Sequence, residues 1–316
     1  MGKLSILSIV RKIAGAAVTV TMAAGCSLVS GYQIAPIPTA GAPTVAGSGC
    51  NRGHMPVPPY VGVIEHRLGQ VPKFSRATGA HPRVVAYFER FGSPFVAGDA
   101  CRVIRFGAIP LIQIDPTDVS IAKIGRGKYH KYLTDYAKAV RKFHAPVAIS
   151  FGHEMNGTWY TWGYKDTPPA EFVQAWRVIH TTFAAAGASN VTWVWTVNSI
   201  YPNDIPLRRD WPGKAYVNWV GIDAYYWHAT DTFDSMFGTV LDAVRPITHD
   251  PVLIAETAAA PGPQERSQIQ SLFAGVRRNH LLGLVWFDIN ANRPWRLEGH
   301  PAALAAFRRA VKQYMR

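Results

Sequence analysis

The chain has 316 residues, 48% of them hydrophobic and 17% charged, and a formal net charge of +13. That is enough apolar material for one large domain or two small ones, and it excludes global disorder. The cations are scattered, as in Arg102, Arg105, Lys123, Arg126, Lys128, Lys131, Lys138, Arg141 and Lys142. They form no aromatic-interleaved block, zinc-finger spacing or basic helix, so no nucleic-acid partner is expected, while an anionic envelope surface stays open as one.

The amino terminus reads as a targeting segment. Lys3, Arg11 and Lys12 precede an apolar stretch from Ile13 to Ala24, which ends in Ala23-Ala24-Gly25-Cys26. A basic head, an apolar middle too short to span a bilayer and a small-residue end are the layout of a signal peptide over residues 1–25. The Gly25-Cys26 ending resembles a bacterial lipobox, which implies lipidation of Cys26 and a secreted or cell-envelope protein anchored to the outer side of a bacterial membrane. Residues 26–58 are rich in Pro, Gly, Ala, Thr and Ser (APIPTAGAPTVAGSG) and read as a tether. Two further cysteines, Cys50 and Cys101, are either a disulfide that pins the tether to the domain or two separate buried thiols.

From residue 59 to 316 the chain alternates. Nearly continuous apolar runs occur at Tyr60–Glu65, Val84–Phe88, Ile109–Ile114, Pro146–Phe151, Val191–Val197, Trp219–Tyr225, Pro251–Ala255 and Leu282–Phe287, as in strands buried on both faces. Between them lie amphipathic helical stripes. One runs through Tyr129, Tyr132, Leu133, Tyr136, Ala137 and Val140. A second runs through Phe172, Ala175, Trp176, Ile179 and Phe183, after the helix-start signal Thr167-Pro168-Pro169. Phe233–Val244, Gln264–Val276 and a last stripe of Phe307, Val311 and Tyr314 behave alike, whereas the connection from Arg90 to Ala108 reads as irregular. Eight strands alternating with helices predict an α/β fold, a (β/α)8 TIM barrel. A doubly wound sheet is disfavoured because Glu65-His66-Arg67-Leu68-Gly69, after the first strand, is no dinucleotide fingerprint.

In such a barrel the chemistry lies at the carboxyl ends of the strands. The pattern puts there Glu65 and His66, Asp115, His153 and Glu154, Asn198, Tyr225, Tyr226 and Trp227, Glu256, and Trp286 and Asp288. Glu154 after the fourth strand and Glu256 after the seventh have no basic neighbour in sequence and face each other across an eight-membered ring. Paired carboxylates suit glycoside hydrolysis, and the surrounding aromatics offer flat faces to sugar rings. Other chemistries find no support. His66, His153 and His228 lack metal-ligand spacing, Ser150 lies outside a Gly-x-Ser-x-Gly elbow, and Cys101 has no base partner in sequence. No metal and no cofactor are expected, and nothing signals an oligomer, so a monomer is.

HEMNGTWYTWG, His153–Gly163, resembles the acid/base motif of glycoside hydrolase family 26, whose members include β-mannanases, β-1,3-1,4-glucanases and β-1,3-xylanases. GAIPLIQIDP (Gly107–Pro116), YVNWVGIDAYYW (Tyr216–Trp227) and PVLIAETA (Pro251–Ala258) look like its third, sixth and nucleophile strands, in the right order. The resemblance implies a retaining endo-β-glycanase with Glu154 as acid/base and Glu256 as nucleophile. His153 would hydrogen-bond near the cleavage point, and Tyr225 or Tyr226 would hold Glu256 ionised. Trp286 would be a stacking floor, and Trp159 and Trp162 would build neighbouring subsites. Glu65 and Asp288 complete the expected substrate contacts at the mouth. β-1,4-Mannan and mixed-linkage β-1,3-1,4-glucan are the expected substrates. A silent carbohydrate-binding envelope protein and a hydrolase of an endogenous envelope glycan are the alternatives.

Overall fold

The computed structural model describes residues 50, 54–199, 205–291 and 293–315. The signal peptide, Cys26 and nearly all of the tether expected from sequence lie outside them. Eight parallel strands follow one another round a closed barrel, and the last pairs with the first. They are β1 (Tyr60–Ile64), β2 (Val84–Arg90), β3 (Ile109–Asp115), β4 (Val147–Phe151), β5 (Val191–Asn198), β6 (Trp219–Asp223), β7 (Val252–Thr257) and β8 (Gly283–Phe287). The helices are α1 (Val71–Thr78), α2 (Ala97–Arg105), α3 (Ile121–Gly125), α4 (His130–Phe143), α5 (Pro169–Ala185), α6 (Thr239–Val244), α7 (Glu265–Arg278) and α8 (Pro301–Tyr314). A turn of π-helix, Asp234–Gly238, leads into α6.

Alternation along each strand separates two cores. On β4, Phe151 points outward and packs on Phe172 and Trp176 of α5 with ring centroids 5.9 and 6.4 Å away. Its neighbour Ser150 points inward and donates to Thr196 Oγ1 of β5 at 2.8 Å. Gln113 of β3 reaches across the lumen to Glu256 of β7, a bond that joins non-adjacent strands and so marks the interior. Burial on both faces is what near-continuous hydrophobicity promised.

Two details differ from the sequence reading. The Arg90–Ala108 connection holds a regular helix, α2, whose buried stripe consists of Ala100, Cys101 and Val103. Residues that small give a weak periodic signal. The sixth strand ends at Asp223 rather than Tyr225: the β6–β7 register shifts between Ile222 and Asp223, and beyond it the pairing continues only as a parallel bridge between Tyr226 and Ala259. Cys50 and Cys101 form a disulfide, Cα to Cα 5.2 Å, that ties the segment before β1 to α2.

Candidate active site

The turn after β4 sets the first carboxylate. Gly152 and Glu154 both take the left-handed conformation, at φ 54° and 55°. A Cβ at Gly152 would crowd the rings of Phe172 and Trp162. For Glu154 the same conformation costs about 1 kcal/mol or more, as is common where a side chain must be aimed. The Glu154 amide bonds to Thr196 O of β5 at 2.9 Å, which carries the turn over the barrel. Its buried carboxylate is held at both oxygens: Trp159 Nε1 donates to Oε2 at 2.7 Å and Asn198 Nδ2 to Oε1 at 2.6 Å. Asn156 supports Asn198 by two bonds of 2.8 Å across the β4 and β5 termini.

Glu256 extends from β7 into the same mouth, 1% exposed. Tyr225 Oη donates to its Oε2 and Gln113 Nε2 to its Oε1, both at 2.5 Å. Burial pushes its carboxyl up to about 7; the His153 cation, Tyr225 and Gln113 pull it down, and the charge of Glu154 pushes it up. His153 is wholly buried, with Nδ1 at 3.0 Å from Asp115 Oδ1. Burial opposes its positive charge, yet Asp115, helped by Glu256 and Glu154, outweighs it and raises the imidazole to about 9. Asp223, at the end of β6 and paired in register with Glu256, is fully buried; burial and the charges of Glu256 and Glu154 raise it well above the carboxylate range. The floor of the site therefore sets an imidazole, favoured in its charged form by Asp115, among buried carboxyls, and burial and its neighbours' charges disfavour the ionised form of Asp223.

Aromatic rings back the mouth. Buried Trp295 lies 5.3 Å from Tyr225 and 4.9 Å from half-buried Trp227 between centroids, and buried Phe287 lies 5.6 Å from Tyr225. On the other side, half-buried Phe88 lies 5.6 Å from His153. Two acidic groups with different partners, set at the ends of opposing strands between aromatic faces, form the arrangement that glycoside hydrolysis uses.

The family model described as Glycosyl hydrolase family 26 matches residues 127–291, which include both glutamates. The chain belongs to glycosyl hydrolase family 26. It is 30% identical over 258 residues to endoglucanase H of Acetivibrio thermocellus; the match covers 76% of this chain and 29% of that protein, so the chain spans less than a third of that relative. The catalytic domain of a family 26 endo-β-1,4-mannanase from Bacillus sp. JAMB-750 shares the fold with TM-score 0.61 and 15% identity, over 81% of this chain and 86% of that one. A family 26 β-mannanase from Bacteroides ovatus does so with TM-score 0.60 and 16% identity, over 76% and 82%.

Of the site residues expected from sequence, this family 26 chain brings His153, Glu154, Trp159, Tyr225 and Glu256 into one hydrogen-bonded and charge-coupled cluster. Three others are not placed as substrate contacts. Trp286 is fully buried outside the barrel against Phe307 of α8, because on β8 it is Phe287 whose side faces Tyr225. Tyr226 is fully buried against Phe237, the strand alternation having turned it from the mouth that Tyr225 enters. Trp162, 2% exposed, stacks on Tyr160 at 4.2 Å and donates Nε1 to His153 O at 2.8 Å, so it braces the turn. Glu65 and Asp288 lie at the ends of β1 and β8 and share Arg296, at 3.1 and 3.5 Å. Burial, with Asp288 beside it, raises Glu65 to about 8 against the pull of Arg296.

Gln113, Asp223, Phe287 and Trp295 were missed as site residues. Gln113 and Asp223 had a signal, a polar group breaking or ending an apolar strand run; Trp295 had none, since it stands on an irregular connection. His153, Asp223 and Glu256 bring potential ligand atoms within 4.8 Å of one another. Both oxygens of Glu256 are engaged by Tyr225 and Gln113 and Nδ1 of His153 by Asp115, so hydrogen bonds already occupy much of the donor set there.

Proposed function

We propose that this family 26 chain is a retaining endo-β-glycanase acting on a β-linked glucan, with Glu256 as nucleophile and Glu154 as acid/base. The observation that carries the reading is the asymmetry of the two carboxyls. Both carboxyls accept two donors, but Glu256 also faces the His153 cation, the first of the groups that pull against the rise burial causes. Glu154 sits in the turn after β4 with its oxygens fixed by Trp159 and Asn198. Glu256 attacks the anomeric carbon as Glu154 transfers a proton to the departing oxygen. Water, deprotonated by Glu154, then releases the sugar with retained configuration. Glucan is preferred to mannan because the 30%-identical relative is named an endoglucanase. The mannanase neighbours, near 15% identity, speak to the fold alone.

A panel of lichenan, cellulose, β-mannan and xylan tests this with wild type, Glu154→Gln and Glu256→Ala. Reducing ends are expected from lichenan first, with the anomer of the first product retained. The expected loss is about 10²–10⁴-fold for Glu154→Gln, with Glu256→Ala at background. Full activity in either variant, or preference for mannan, refutes the corresponding part.

We also propose export through residues 1–25 and a lipid anchor on Cys26, with 26–58 as tether, supported by the basic, apolar and small-residue order of that segment. Incorporation of labelled fatty acid in the wild type but not in Cys26→Ser is the test.

A further inference from the structure

The helices that follow β2 and β3 expose positive charge that the cleft does not use, as α7 and α8 do with Arg266, Arg277, Arg278, Arg308, Arg309 and Lys312, but only the first flank also carries the Cys50 link. Between residues 123 and 144 the chain exposes Lys123, Arg126, Lys128, Lys131, Lys138, Arg141 and Lys142, against one exposed carboxylate, Asp135, which pairs with Lys131 at 2.6 Å. Cations that look scattered in sequence become neighbours because α4 turns Leu133, Tyr136, Ala137, Val140 and Phe143 to the barrel and its charges to solvent. Helix α2 adds exposed Arg102 and Arg105, and is locked alongside by Phe95, whose ring lies 5.6 Å from Tyr136 and 5.5 Å from Phe143. Cys101, in this same α2, holds Cys50. The polypeptide that carries the apolar stretch Ile13–Ala24 and Cys26 therefore joins the domain at its basic flank.

We propose that the outer face of α2, α3 and α4 docks on an anionic lipid surface. A lipid surface fits better than a soluble polyanion because charge and chain exit coincide. A single lipid chain holds a protein to a bilayer only marginally, and a basic surface beside it supplies the second contact. Docking through a helical flank lays the barrel axis along the surface, so the mouth at the strand ends stays open to a polymer. The inference is independent of which glycan the cleft takes.

The test uses the full chain carrying Cys26→Ser, so that no acyl chain contributes. It is sedimented with vesicles of phosphatidylcholine alone or mixed with phosphatidylglycerol, at low and high salt. Lys128→Gln, Lys138→Gln and Lys142→Gln are combined in one variant. A control variant combines Arg266→Gln, Arg277→Gln and Lys312→Gln, which removes equal charge from α7 and α8 on the far side of the ring. Each cation near such a surface is worth about fivefold in partition, so the first variant is expected to lose about 10²-fold on anionic vesicles. The control is expected to stay within about threefold, and the binding to fade with salt. Circular dichroism and melting check that both variants fold. Equal losses in the two variants, salt-insensitive binding, or a soluble anionic polysaccharide bound as tightly as the vesicles overturns the proposal.

Discussion

Burial and hydrogen bonding compete at Glu256. Burial raises its carboxyl to about 7, and His153, itself raised to about 9, opposes the rise with its positive charge. Below about pH 7 Glu256, the proposed nucleophile, is protonated, and between about 7 and 9 its carboxylate faces an imidazolium. The acid limb of kcat/KM is therefore expected near pH 7. In His153→Gln the cation is gone, so that limb should move up by about 1–3 pH units, with the melting curve checked for integrity. A limb that stays in place refutes the coupling. Gln113 works on the other oxygen of the same group, yet in sequence it is one polar letter in GAIPLIQID, and only a bond across 143 positions gives it meaning.

Strands and helices position these groups through close approach. Gly221 of β6 lies directly beside Thr196 of β5, and a methyl group there would overlap the Thr196 side chain, which in turn accepts from Ser150 of β4. Gly221→Ala is expected to destabilise by about 1–3 kcal/mol, as overpacking of a filled interior does. It should also disturb the bond that the Glu154 amide donates to Thr196 O. Chemical denaturation beside an activity assay checks both, and an unchanged midpoint counts against the close contact. The segment after β6 shows how local such control is: two successive positions put Tyr225 in the mouth on Glu256 and Tyr226 behind it against Phe237.

Closing eight strands into a ring sets β4 opposite β7 and β8, and so turns a separation of about a hundred positions between Glu154 and Glu256 into one site. The same closure leaves the α2–α4 flank basic, next to the Cys50–Cys101 disulfide. If residues 1–25 direct export and Cys26 carries lipid, labelled fatty acid is incorporated by the wild type and the label is absent from Cys26→Ser, while glycan hydrolysis by the purified variant is unchanged. Equal labelling of both refutes the anchor.

The eight strands, most of the helices, and Glu154, Glu256 and His153 were legible in the residues, because burial on both faces writes an apolar run and strand ends in a barrel collect the polar exceptions. Which aromatics line the cleft was not. Trp286, Tyr226 and Trp162 look in sequence like Trp227, Tyr225 and Trp159, and the difference between them is the direction each ring points. That direction depends on strand alternation and contacts with helices far along the chain, neither of which a local pattern encodes. The basic flank was hidden for the same reason: spaced cations become a surface only when a helix has turned its apolar side inward.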